Sequence, residues 1–187
     1  MNTTSHYQLN QWDGPDRILR TDFNADNLKT DDAIAAVREA CPIVKLVEVS
    51  ISEDTAQFDV DMSAFSLTDY DMWMIRPRIL SSESIYYLRC NNVSSNYEHG
   101  GGRETYLHML SGSGNNGINQ IDLTYNGNYL YSFIRKAYYA GLGFYYDSDG
   151  CRTSKPSPAE LNALNFVAGD SGVLRAGSVV RIYGVKL

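Results

Sequence analysis

The chain has 187 residues, 43% of them hydrophobic and 20% charged, with a net charge of −6. That is enough apolar material for one packed domain of ordinary size plus an appendage. The acidic balance excludes a general nucleic-acid binder, which needs a basic face. Fourteen Tyr and fifteen Gly suit strands joined by tight turns, with amphipathic rings at the surface.

Residues 1–20 read as an arm. Met1 to Ser5 is expected to be a mobile polar tail. Tyr7 to Arg20 is expected to be ordered and extended, with a turn at Asp13-Gly14-Pro15 and with Trp12, Ile18 and Leu19 packed near the start of a helix. The arm holds no apolar run of signal-peptide kind, and no segment approaches the ~20 apolar residues of a membrane span. Neither export by such a signal nor membrane insertion is expected.

Thr21 to Pro42 is the one long helical pattern. Thr21 or Asp22 suits the N-cap, Asp22 and Asp26 suit the dipole, and Pro42 stops the helix. Phe23, Asn27, Thr30, Ile34, Val37 and Cys41 follow a 4-3 rhythm, the seam spacing of a coiled coil. Polar residues at Asn27 and Thr30 weaken that seam but can set register. Periodicity alone leaves two partners open, the chain's own β domain or further copies of the helix.

After Pro42 the period changes to two. Strands are expected at Ile43 to Val49, Thr55 to Asp61, Asp71 to Leu80, Ile85 to Asn91, Thr105 to Leu110, Ile118 to Tyr125, Leu130 to Ile134, Leu161 to Ala168 and Ser178 to Val185. Pro77 implies an edge position or a bulge. Asn126-Gly127 signals a type I′ hairpin. Tyr138 to Asp147 is aromatic and Gly-rich, with Asp149-Gly150 read as a closing turn. The sum is a mainly β chain. It predicts an antiparallel β-sandwich, jelly-roll-like, over 43–187, preceded by an arm and one α-helix over 1–42.

Motifs for chemistry are sparse. The sequence holds no G-x-S-x-G, H-E-x-x-H or P-loop. Gly100 to Gly102 reads as a flexible loop. His6, His99 and His108 are scattered, His99 as a loop residue and His108 as a strand residue. Glu98 and Glu104 could face one another across the Gly loop. Cys41, Cys90 and Cys151 have no metal-like spacing and read as reduced thiols. No catalytic residue, metal or cofactor is expected. Tyr residues fall on strands, often in adjacent pairs, so one of each pair should lie outside the core or at an interface.

The opening Tyr7-Gln8-Leu9-Asn10-Gln11-Trp12, Asp16-Arg17-Ile18 and Asp22-Phe23-Asn24-Ala25-Asp26-Asn27-Leu28-Lys29-Thr30-Asp31 resembles the head of bacteriophage and prophage tail proteins. There an arm leads into a helix that trimerises and joins the tail. Gly177 to Lys186 resembles the closing strand of small β-sandwich domains at the tips of such fibres. The two stretches cover about a quarter of the chain, and Thr30 departs from the family, which often has an apolar residue there.

The resemblance implies a non-enzymatic tail fibre or receptor-binding structural protein. It would be a homo-oligomer, a trimer, with Phe23, Asn27, Thr30, Ile34 and Val37 at the interface. The arm would meet other virion or tail proteins, and the protein would sit in the virion after assembly in a bacterial cytoplasm. Its ligand would be a bacterial surface polysaccharide, sought first at Tyr97, Asn115, Asn116, Asn126 and Tyr129. The alternative is a purely structural virion part, such as a head fibre, decoration or baseplate adaptor protein. A capsule depolymerase stands well below both, because it needs paired carboxylates in a groove.

Overall fold

The computed structural model describes residues 2–82, 85–100, 102–111, 118–140, 143–169 and 171–187, with the side chains of 111, 138–140 and 143–145 also outside the description. The chain divides into two compact units, Met1–Pro42 and Ile43–Leu187.

In the first unit, β1 (Asn2–Thr3) pairs antiparallel with β2 (Asn10–Gln11). Residues 2–5 are therefore not a free tail. The Thr4 amide donates to the Leu9 carbonyl at 2.8 Å and Gln8 takes a positive φ of 55°, which folds the arm back on itself. The Asp13–Pro15 turn forms, with the Asp16 amide on the Asp13 carbonyl at 2.9 Å. Ile18 and Leu19 are exposed rather than packed.

Helix α1 spans Arg20–Ala40. Its N-cap is Leu19, without a side-chain cap bond. This corrects the expected Thr21 or Asp22: the cap lies two residues before Thr21 and leaves Asp22 inside the first turn, where the dipole still favours it. At the other end Pro42 stops the helix as expected, and the Cys41 amide closes on the Val37 carbonyl.

The second unit is an antiparallel sandwich. Its strands in chain order are β3 (Ile43–Ser50), β4 (Gln57–Asp61), β5 (Tyr70–Arg78), β6 (Ile85–Cys90), β7 (Tyr97–His99), β8 (Gly102–Glu104), β9 (His108–Ser111), β10 (Ile118–Asn126), β11 (Tyr129–Ala140), β12 (Gly143–Thr153), β13 (Ala163–Ala168) and β14 (Val179–Lys186). Among the described residues one sheet runs β3-β14-β5-β10-β11-β12-β7-β8 and the other β4-β13-β6-β9. The chain therefore changes sheet at most connections, as a jelly-roll-like order requires. Inward residues from both sheets share one core, with Trp73, Ile75, Ile121, Leu123 and Ile182 from the larger and Val60, Leu88, Leu164 and Phe166 from the smaller.

Several local expectations change. Pro77 lies in an interior strand. The pairing of β10 with β5 covers only Trp73 to Ile75, however, so Pro77 is registered with β14 alone and occupies a local edge. The β10–β11 turn has Gly127 and Asn128 at its centre, because Asn126 pairs with Tyr129. Of these two only Gly127 takes a positive φ (60°), which makes the turn type II′ rather than I′.

Asp149 and Gly150 are not a turn. They lie inside β12, with Gly150 opposite Phe133. A Cβ at Gly150 would stand 3.4 Å from the Phe133 ring, so the strand glycine marks the close approach of that ring. Strands β7 and β8, three residues each, carried too short a pattern to be read.

Candidate functional site

Two surfaces leave apolar groups in the open. The first is on α1. Phe23, Ile34 and Val37 are 55%, 56% and 65% exposed, and Asp26 is the one buried residue of the helix. The arm occupies the flank made by Asp22, Asp26 and Lys29, and it does so with polar contacts. Asn10 donates its backbone amide to Asp26 Oδ2 at 2.9 Å and its Nδ2 to Asp26 Oδ1 at 3.1 Å. Lys29 Nζ donates to the Gln8 carbonyl at 2.5 Å. The clasp leaves the neighbouring 4-3 stripe free. The Thr30 hydroxyl donates back to the Asp26 carbonyl at 2.9 Å, so this polar seam position has its donor satisfied within its own helix. The stripe residues Thr30, Ile34 and Val37, with Ala33, Arg38 and the arm's Tyr7 and Leu9, line an apolar groove of about 330 Å³.

The second surface is the outer face of the larger sheet. Residues of alternate parity on β11 separate cleanly. Leu130, Ser132 and Ile134 are buried, while Tyr129 and Phe133 are exposed and Tyr131 is half-buried. On β12, Tyr146 belongs to the same outer face and pairs with Ala137. Phe133, Tyr146, Arg135, Asp122, Thr124 and Ser148 border a trough of about 700 Å³. A string of polar side chains runs across the strands and enters it at Asp122 and Arg135. Arg76 donates to Gln120, Gln120 Nε2 to Asp122 Oδ1, and Arg135 to Asp122 Oδ2. Toward the hairpin, Arg152 stands 5.3 Å from the centre of the Tyr129 ring and binds Glu98 at 2.7 Å. The Arg152 hydrogen bond, ahead of its charge, holds the Glu98 carboxyl below the usual carboxylate range.

Around the opposite edge of β12 is a polar cluster. His99 Nδ1 pairs with Asp149 Oδ2 at 2.9 Å, and its Nε2 meets the Tyr106 carbonyl at 3.2 Å. Lys136 Nζ meets Asp147 at 3.0 Å. His108 Nε2 meets Ser132 Oγ at 2.9 Å, and His108 Nδ1 has no partner among the described residues. Burial depresses the His108 pKa to about 3. This Ser–His pair has nucleophile–base geometry, but both residues are fully buried and closed to substrate. Glu98 and Glu104 do not face each other: Glu98 is registered with Arg103, and Glu104 with Tyr97.

The sequence-predicted ligand residues scatter. Tyr97 is a correction. It is fully buried, and its hydroxyl accepts the Cys90 amide at 2.8 Å, so its ring belongs to the core. Asn115 and Asn116 lie outside the described residues. Asn126 and Tyr129 are exposed at the β10–β11 hairpin, and Tyr129 joins the aromatic face. Phe133, Arg135 and Tyr146 had not been singled out as site residues. The available signal was the run Tyr129-Leu130-Tyr131-Ser132-Phe133-Ile134, apolar at both parities, which a strand with one wet face does not show. Cys90 and Cys151 are buried thiols, and Cys41 is an exposed one. Burial pushes Cys151 up to about 12 and Cys90 higher still, so neither is a nucleophile at neutral pH. Among the described residues no His, Cys, Asp or Glu group has metal-ligand geometry, and no helix is long and apolar enough to cross a membrane.

The sequence matches no protein-family model and no curated protein. Fold and surfaces define a class: an antiparallel β-sandwich with an exposed aromatic sheet face, led by an arm-clasped helix whose apolar stripe is open.

Proposed function

We propose that the protein is a phage-type tail-fibre or receptor-binding structural component of a virion. In this reading α1 holds copies together as a trimer and the sandwich carries the recognition surface for a bacterial glycan. The observation that carries it is the open 4-3 stripe of Phe23, Ile34 and Val37 on a 21-residue helix whose single buried residue is polar. A 42-residue unit in which no apolar side chain is buried among the described residues falls in the size range that needs oligomerisation or another staple. A helix burying its stripe against two copies supplies that. The arm-and-helix resemblance to tail proteins points the same way. Asn27 and Thr30 then fall mid-seam, where polar residues set register and strand number.

Light scattering tests the assembly. The expected mass is three times the 20.9 kDa of the chain, falling to one chain on the double substitution Ile34→Asp and Val37→Asp with the sandwich still folded. A 20.9 kDa particle from the unsubstituted protein at micromolar concentration overturns the proposal.

A further inference from the structure

We infer that the outer face of β10, β11 and β12 binds a neutral oligosaccharide, with Phe133 and Tyr146 as stacking platforms and Asp122 and Arg135 as the hydrogen-bonding pair between them. The inference rests on the attachment reading only for the source of the sugar, a bacterial surface.

The rings come first. Phe133 and Tyr146 are 55% and 66% exposed and lie on one face of adjacent strands. Phe133 is registered with Gly150 and Tyr146 with Ala137, a separation of four residues along β12. At about 3.3 Å per residue this is roughly 13 Å, the reach of a short oligosaccharide rather than of a single ring. Between them on β12 the floor is low at Ser148, with Arg135 opposite it on β11. One edge of the Phe133 ring lies against Gly150, which leaves it fewer positions than a ring standing clear of the sheet. A ring held before binding loses little conformational freedom on binding.

The polar groups match sugar hydroxyls, each of which donates and accepts. Arg76, Gln120, Asp122 and Arg135 are already joined in one string across the strands, so its trough-lining end, Asp122 and Arg135, stands at set positions beside the rings. Fixed polar groups next to apolar faces orient a ligand that has both kinds of surface.

Charge decides between kinds of glycan. The trough holds Asp71 and Asp122 against Arg135, and Arg135 is already neutralised by Asp122, while the Asp149 carboxylate at its border is turned to His99. The whole chain carries −6. A polymer of uronic acids or phosphates meets like charge there, with no unpaired cation in the lining to offset it. A neutral sugar meets no such penalty.

The test uses the full chain, titrated with neutral and acidic bacterial oligosaccharides in ligand-observed NMR and calorimetry. The expected result is binding of a neutral member with little salt dependence. Phe133→Ala or Tyr146→Ala should weaken it about tenfold, with the melting temperature and the light-scattering mass unchanged. Arg135→Ala should remove one of the two hydrogen-bonding groups and also weaken it. Preference for acidic members, steep salt dependence or indifference to both ring substitutions overturns the inference. So does dissociation of the oligomer by those substitutions, which would make the face an interface between copies. An intact oligomer that binds no neutral sugar refutes this site and leaves the assembly standing. A monomer that binds one through Phe133 and Tyr146 does the reverse.

Discussion

The arm-and-helix unit and the sandwich solve the problem of burial in opposite ways. The sandwich encloses Trp73, Tyr86, Phe166 and more than a dozen aliphatic side chains with almost no exposure. The first unit encloses one carboxylate, Asp26, and holds its arm by hydrogen bonds. A single chain is therefore complete in one region and open in the other. Equivalent changes in the two regions should alter different measurements, stability in the sandwich and association in the helix.

The largest contrast is between two phenylalanines. Phe166→Ala removes a fully buried ring packed 6.3 Å from Tyr86 and should cost about 3–5 kcal/mol in urea unfolding. Phe23→Ala should leave the sandwich transition in place and change the particle mass instead. Equal losses of stability at the two sites would end the distinction.

Acid should act on the sandwich through His108. His108 is held at about 3 in the folded state by burial, against 6.5 when free. Below pH 6.5 the unfolded chain takes up a proton that the folded one refuses, so stability falls as the pH drops from 6.5 toward 3. By pH 4 this amounts to about 3 kcal/mol at most. His108→Gln should flatten the slope of urea midpoint against pH between 6.5 and 4, and an unchanged slope would remove His108 as its source.

Smaller still is the clasp. Asp26→Ala deprives Asn10 of two acceptors and should weaken arm docking by about 2 kcal/mol. Faster hydrogen exchange at the Asn10 amide, without change in sandwich amides, is the readout. The smallest effect belongs to the hairpin. Gly127→Ala places a side chain at a φ of 60° and should cost about 1 kcal/mol of sandwich stability in thermal unfolding, with assembly unaffected.

These differences also mark what could be read from residue order. Period two exposed most strands because each buries one face, as in Gln57–Asp61 and Val179–Lys186. The helix and its stop at Pro42 were equally legible, being local. The turn reading of Asp149-Gly150 failed because a glycine looks the same in a turn and under a cross-strand ring. Asp26 read as a dipole partner, since its bonds to Asn10 span sixteen residues. Tyr97 read as a surface ring because nothing local reveals a hydroxyl aimed at the Cys90 amide. The aromatic sheet face lay half in view: its residues alternate along β11, but the trough needs β10 and β12 beside it, and register is not written in any one strand.

The edge strand β3 has a consequence for crowding. Its pairing with β14 slips between Ile182 and Tyr183, leaving Leu46 without a registered partner. Lys45, Glu48 and Arg181 form ion pairs along the same edge, at 2.9 Å and 3.1 Å. At the far end of the sheet, β8 is three residues long and carries exposed Arg103 and Glu104. A kinked, charged or very short edge is a poor template for another strand. Copies tethered through a helix would meet one another at high local concentration. These edges would let the sandwiches crowd without zipping into a continuous sheet, leaving each aromatic sheet face separate.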